Sequence, residues 1–161
     1  MNESWKILFP VDLSEVSPKI APWVLDFAKK FDAEIHLLFV ARNLEYFSSV
    51  YVPAVSISNL EAEIIKGAET KIEEFSDSYF KGYRACKTRV VVGDAAEEIL
   101  KYAETEKIDL IIIGTHGRKG IDRILFGSVA EKVIKMSSVP VLSVNPYRVR
   151  TAEEETSPSD N

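Results

Sequence analysis

The sequence predicts a doubly wound α/β fold, a parallel sheet of five strands with helices on both faces. Three observations carry this. Five short runs rich in Val, Ile and Leu recur at residues 5–11, 34–40, 85–92, 109–114 and 139–144. The stretches between them space their apolar residues near 3.6, the helical period. Most of the runs hold continuous apolar stretches, Leu110-Ile111-Ile112-Ile113 above all, as strands covered on both faces do. Strand and helix alternate over the whole body, which leads to the same class. A chain of 161 residues is about one domain long.

The elements follow in order. After the first strand, Ser17-Pro18 predicts an N-cap with proline at the first helical position, opening a helix to about Phe31. Pro22 predicts a distorted or late-starting first turn there. Residues 41–58 follow the second strand and exceed the two to six residues of an ordinary strand-to-helix link. They hold Tyr46, Phe47 and Tyr51, and read either as a surface loop partly packed on the body or as a lid or partner surface. A helix over 59–76 follows, with a stripe of Leu60, Ile64, Ile65, Ala68, Ile72 and Phe75. Its carboxylates, between Glu61 and Glu74, read as a solvated face. Asp94-Ala95-Ala96-Glu97 is a D-x-x-E cap ahead of Ile99, Leu100 and Ala103. The last helix covers about 128–136. Residues 1–147 form the domain, and 148–161 a polar, acidic tail expected to be disordered.

Composition narrows the function. Hydrophobic residues make up 46% and charged residues 28%, an ordinary globular balance. The net charge is −5, but Glu153, Glu154, Glu155 and Asp160 lie in the tail, which leaves the body nearly neutral. A duplex-binding protein would carry a basic surface, so no nucleic-acid partner is expected. Cys86 stands alone, so no intrachain disulfide forms and a reducing compartment is expected. On a strand-like run it reads as a small core residue. Met1-Asn2-Glu3-Ser4 does not open a secretory signal, and no window approaches the ~20 apolar residues of a membrane span. The expectation is a soluble cytoplasmic protein.

In an open α/β sheet, ligands bind beyond the carboxyl ends of the strands, where the strand order reverses. That draws attention to the turns after strands 1 and 4. Strand 1 runs into Pro10-Val11-Asp12-Leu13-Ser14. Strand 4 runs into Ile113-Gly114-Thr115-His116-Gly117-Arg118-Lys119-Gly120, and Gly127-Ser128 then open a helix. Four of the seven glycines fall between 114 and 127. Glycines let backbone N–H groups approach a ligand, and a helix start adds unpaired donors and a positive dipole end. Arg118, Lys119 and Arg123 add charge, Ser128 a hydroxyl. Asp12 has the character to hold a ribose hydroxyl or a phosphate-bound metal ion. Singly, each glycine fits a plain turn and Gly-Ser a plain cap; their clustering after one strand favours anion binding.

Other phosphate motifs are absent. There is no G-x-x-x-x-G-K-[ST] and no G-x-G-x-x-G after a strand. A phosphoacceptor domain would need a Lys after strand 5, where Asn145-Pro146 stand. Two histidines and one cysteine make no structural zinc spacing. His36 reads as a satisfied residue in a strand, and His116 as a residue of the glycine loop. No paired general base is evident, so a dedicated hydrolase is not indicated.

Gly114-x2-Gly117-x9-Gly127-Ser128 resembles the G-2x-G-9x-G-[S/T] signature of the universal stress protein family. Ile7 to Ser14 resembles that family's first strand and its Asp, 127–133 its last helix and 139–144 its last strand. The resemblance covers about residues 5–145. It implies a sheet ordered 3-2-1-4-5 and an ATP-binding member. By position, Pro10, Val11 and Asp12 would lie under base and ribose, and Val40 would meet adenine through its backbone. Ile113, Gly114, His116 and Gly117 would surround ribose and phosphates. Gly127, Ser128 and Val129 would hold the phosphates, with Mg²⁺ reaching Asp12 through the nucleotide. The resemblance also implies a homodimer paired through strand 139–144. The leading expectation is a nucleotide-binding stress-response or signalling protein with little or slow hydrolysis. The alternatives are a slow metal-dependent ATPase or nucleotidyl-transferring enzyme, and an interaction module using its dimer, loop 41–58 and tail.

Overall fold

The computed structural model describes residues 4–44, 54–116 and 126–148, with side chains from 57 in the second segment. The elements are β1 (Lys6–Pro10), α1 (Ser17–Phe31), β2 (Glu34–Ala41), α2 (Ala54–Tyr79), β3 (Cys86–Val92), α3 (Ala95–Thr105), β4 (Leu110–Gly114), α4 (Ser128–Met136) and β5 (Val141–Val144). All strand pairs are parallel, and the sheet order is β3-β2-β1-β4-β5. The register sets Ile7 opposite Ile35 on one side and Leu110 on the other, and Ile111 opposite Val141.

The two-residue period of a strand divides the core. Ile7, Phe9, Ile35, Leu37 and Ile112 point to the layer of α1 and α2, where they meet Val24, Ala28, Ile72 and Phe75. Leu8, Leu38, Ile111 and Ile113 point to α3 and α4, where they meet Ile99, Ala103, Ala130 and Val133. A fully buried Leu, Ile or Phe contributes roughly 1.5–3 kcal/mol, so the central strands β1 and β4 anchor both layers. Cys86 is half-buried on the edge strand β3, and burial pushes its thiol up from the ordinary value.

Three local expectations change. Ser17 does not cap α1: the cap position is Val16, with no side-chain cap bond, and Ser17 is already the first helical residue. Of the two outcomes expected of Pro22, the late start does not occur, since the helix begins at Ser17 with Pro22 exposed inside it. Its first turn holds a tight Lys19 N–H to Val16 O bond at 3.1 Å. Pro22 has no N–H to give, so the carbonyl of Pro18 lacks its usual helical donor four residues on. α2 begins at Ala54, so the connection after β2 is shorter than 41–58, and its aromatics Tyr46, Phe47 and Tyr51 lie outside the described residues.

α2 is also longer than its seat. Twenty-six residues rise about 39 Å, against about 26 Å for the eight residues of β2. Its lower half buries Ala68, Ile72 and Phe75, while Leu60 and Ile64 of the expected stripe are 50% and 40% exposed. β5 is shorter than its apolar run, because Val139 is held in a turn by the Ser137 hydroxyl and Pro140 has no N–H to give. Residues 149–161 lie outside the description, and among the described residues no helix is long and apolar enough to cross a membrane.

Candidate functional site

The strand order reverses between β1 and β4: β1, β2 and β3 run to one side, β4 and β5 to the other. A crevice of about 770 Å³ opens over the carboxyl ends of these strands. β1 and the turn after it contribute Pro10, Val11 and Asp12; β2 contributes Leu38, Phe39 and Val40, with Arg42 just beyond it. β4 contributes Ile113 and Gly114, followed by Thr115 and His116. Gly127, Ser128, Val129 and Ala130 close the far wall, Ala95 and Ile99 of α3 the side, and Val16, Ser17 and Ile20 the floor under α1. Ten of the eleven residues singled out from sequence thus surround one cavity; Gly117 lies outside the described residues.

The walls are held by the backbone. Val11 N–H donates to Leu38 O at 2.9 Å, tying the turn after β1 to β2. Thr115 N–H donates to Val144 O at 2.9 Å, and Gly127 N–H donates back to Thr115 O at 2.6 Å. Gly114 is needed for packing: a Cβ there would come within 2.6 Å of Ile20 Cδ1 and 3.2 Å of His116 O.

Two helix starts flank this pole and differ in chemistry. Asp94 accepts from Glu97 N–H at 3.0 Å and closes the start of α3, as expected from the D-x-x-E pattern. α4 starts from Gly127 with no side-chain cap bond, so its first N–H groups are left to water or a ligand.

Asp12 is fixed rather than loose. Its Oδ1 accepts from Ser14 N–H at 3.0 Å, Ser14 Oγ at 2.7 Å and Ser17 Oγ at 2.9 Å. Leu13 takes φ 57°, which bends Ser14 back toward the carboxylate. Among the described lining residues Asp12 is the single carboxylate, and no group of three or more metal-ligating side chains occurs among the described residues.

His116 Nδ1 lies 2.8 Å from Thr115 Oγ1, its ring meets the Tyr147 ring edge-on at 5.6 Å, and Lys19 Nζ stands 5.1 Å from the Tyr147 centroid. Arg42, Thr115, Lys19 and Tyr147 were missed in the sequence. Arg42 was findable by counting two residues past Val40; Lys19 and Tyr147 meet only through the fold.

His36 is buried and is not among the residues that line the crevice. Glu34 Oε1 lies 2.6 Å from Nε2 and Tyr102 Oη 2.9 Å from Nδ1. An ionised carboxylate only accepts, so Nε2 carries the proton and Nδ1 accepts from Tyr102. Every ring nitrogen is used, which makes His36 the satisfied core residue expected of it.

Comparison with known proteins decides the family, since the profile described as the Universal stress protein family matches residues 5–145. The chain belongs to the universal stress protein family. Universal stress protein MJ0531 of Methanocaldococcus jannaschii is 38% identical over 143 residues, covering 86% of this chain and 81% of that protein. The solved structure of MJ0577, another universal stress protein of that organism, is 35% identical with a TM-score of 0.77, covering 88% of this chain and 96% of its own. Two more distant structures share the fold. One is a universal stress protein in complex with cAMP, 20% identical, TM-score 0.57, covering 89% and 98%. The other is a universal stress protein of Archaeoglobus fulgidus in complex with dAMP, 18% identical, TM-score 0.55, covering 88% and 98%.

Proposed function

We propose that the crevice binds an adenine nucleotide, with ATP the preferred ligand, and that binding rather than turnover is its purpose. The observation that carries this is the uncapped start of α4 at Gly127, facing Asp12 across a crevice of ligand size. In this reading Val40 meets the base through its backbone, and Pro10, Val11 and Asp12 lie under base and ribose. Ile113, Gly114, His116 and Gly117 border ribose and phosphates, while Gly127, Ser128 and Val129 hold the phosphates. Mg²⁺ would come in with the phosphates, and Asp12 is the carboxylate of the described lining that would be available to it. Relatives of the same fold in complex with cAMP and dAMP support an adenine ligand. Hydrolysis is slow, because the described lining offers Asp12 as its single carboxylate and that group is engaged in holding its own turn.

The protein acts as a cytoplasmic homodimer in a stress-response or signalling role. The two sheet edges support the pairing. β3 carries Lys87 and Arg89 outward, the charges that blunt an edge, whereas 139–144 contains no charge. Denaturing the purified protein and weighing the released small molecules tests the ligand. ATP or ADP near one per chain is expected; an empty protein with no thermal shift in millimolar ATP and Mg²⁺ would contradict the reading.

A further inference from the structure

The hydroxyl of Ser17 is buried, with the residue 3% exposed, and the helix it starts makes no use of it. A buried hydroxyl is costly unless its bonds are made, so its partners tell its role. Both belong to Asp12: the Ser17 Oγ donates to Asp12 Oδ1 at 2.9 Å and accepts from Asp12 N–H at 3.3 Å. Ser14 repeats the pattern, donating to Oδ1 at 2.7 Å while accepting from Val16 N–H at 3.2 Å. Each hydroxyl accepts from a backbone amide, so its single proton is left for Oδ1. With the Ser14 amide, Oδ1 takes three donors, which leaves Oδ2 as the carboxylate's acceptor for anything entering the crevice.

We propose that Ser17 is a positioning residue for ligand recognition: it fixes the Asp12 carboxylate so that Oδ2 accepts from sugar hydroxyls, and it thereby sets the preference for ribose over sugars that lack them. The left-handed backbone at Leu13 fits this assignment. A non-glycine residue adopts that conformation at an energetic penalty, and here it brings the Ser14 amide and hydroxyl onto the same oxygen. This inference rests on the nucleotide reading of the crevice.

The test compares ATP with 2′,3′-dideoxy-ATP by calorimetric titration of the full chain and of Ser17→Ala. The intact protein prefers ATP by about tenfold, the order of one hydrogen bond to a charged acceptor. In Ser17→Ala the ATP affinity falls to within about twofold of the dideoxy value, which itself stays unchanged, and Ser17→Thr restores most of the preference. A hydroxyl that only stabilised the fold would weaken both ligands alike, and that result overturns the proposal. If Ser17→Ala fails to fold, Ser14→Ala at its partly exposed position reads the same ratio and is expected to lower it. An intact protein that binds both nucleotides equally defeats this inference alone; one that binds neither defeats the nucleotide reading with it.

Discussion

The backbone N–H of Gly127 donates to the carbonyl of Thr115 at 2.6 Å, so the glycine-rich segment after β4 returns to the point where it left the sheet. Both ends of that segment are fixed whatever lies between them. Gly127 itself sits at φ −66°, ψ 156°, extended backbone that any residue adopts. We therefore expect Gly127→Val to fold, with a Tm within a few degrees of the unaltered protein by calorimetry. For a chain of this size, about 1 kcal/mol moves Tm by about 2–4 °C.

Gly114 answers to packing instead. A methyl group there meets Ile20 Cδ1 at 2.6 Å and the His116 carbonyl at 3.2 Å. The Ile20 side chain can swing away at some loss of packing in the α1 layer, while the His116 carbonyl must give by a few tenths of an ångström. Gly114→Ala is expected to destabilise by about 1–3 kcal/mol, read from the urea midpoint, the range for overfilling a packed core. A midpoint within 0.5 kcal/mol of the unaltered protein would show that the α1–β4 contact is looser than this.

The pair Glu34 and His36 predicts an acid limb in stability. Burial pushes the His36 imidazole below its ordinary 6.5, and outweighs the pull of the Glu34 carboxylate. Burial acts to raise Glu34, but hydrogen bonds from Lys87 and His36 hold it below its ordinary 4.5. The Tyr102 hydroxyl, pushed up to about 12 by burial and by Glu106, stays protonated and keeps donating. The unfolded chain takes up a proton at His36 more readily than the folded one, so the neutral histidine's contribution is intact above pH 6.5 and lost as pH falls below it. The Glu34 contribution is present above pH 4.5 and lost as pH falls through its lower folded value. Urea midpoints should fall in two stages on acidification, and His36→Gln should remove the upper stage while leaving the lower. An unchanged slope between pH 6.5 and 5 in that variant would contradict the assignment.

At the other edge of the sheet, Ser143 is exposed on β5. Ser143→Lys would place a charge on an edge otherwise free of it, the device by which natural sheets resist pairing. Light scattering after size exclusion is expected to show a dimer for the unaltered chain and a monomer for the variant. A dimer unaffected by the lysine would move the interface elsewhere.

Much of this architecture was legible because its signals are local. The continuous run Leu110-Ile111-Ile112-Ile113, the D-x-x-E cap at Asp94 and the glycines from 114 each state a backbone preference within a few residues. The start of α2 was not legible, since Val55-Ser56-Ile57-Ser58 alternates with a period of two and has weak helix formers. Ser17 was misread for a related reason. Serine before proline at a helix start is a frequent cap, and only the folded turn shows its hydroxyl committed to Asp12 instead. The neighbours Lys19 and Tyr147 stand at opposite ends of the chain, and no local pattern announces them.

The central claim is that the start of α4 holds the phosphates of a nucleotide. Calorimetric titration of ATP with Mg²⁺ into the intact protein and into Gly127→Val tests it most directly. The account predicts binding near one nucleotide per chain for the intact protein and no measurable heat for the variant, which remains folded and dimeric. Equal affinity in a folded Gly127→Val protein would contradict it, and would mean that the start of α4 does not hold the phosphates.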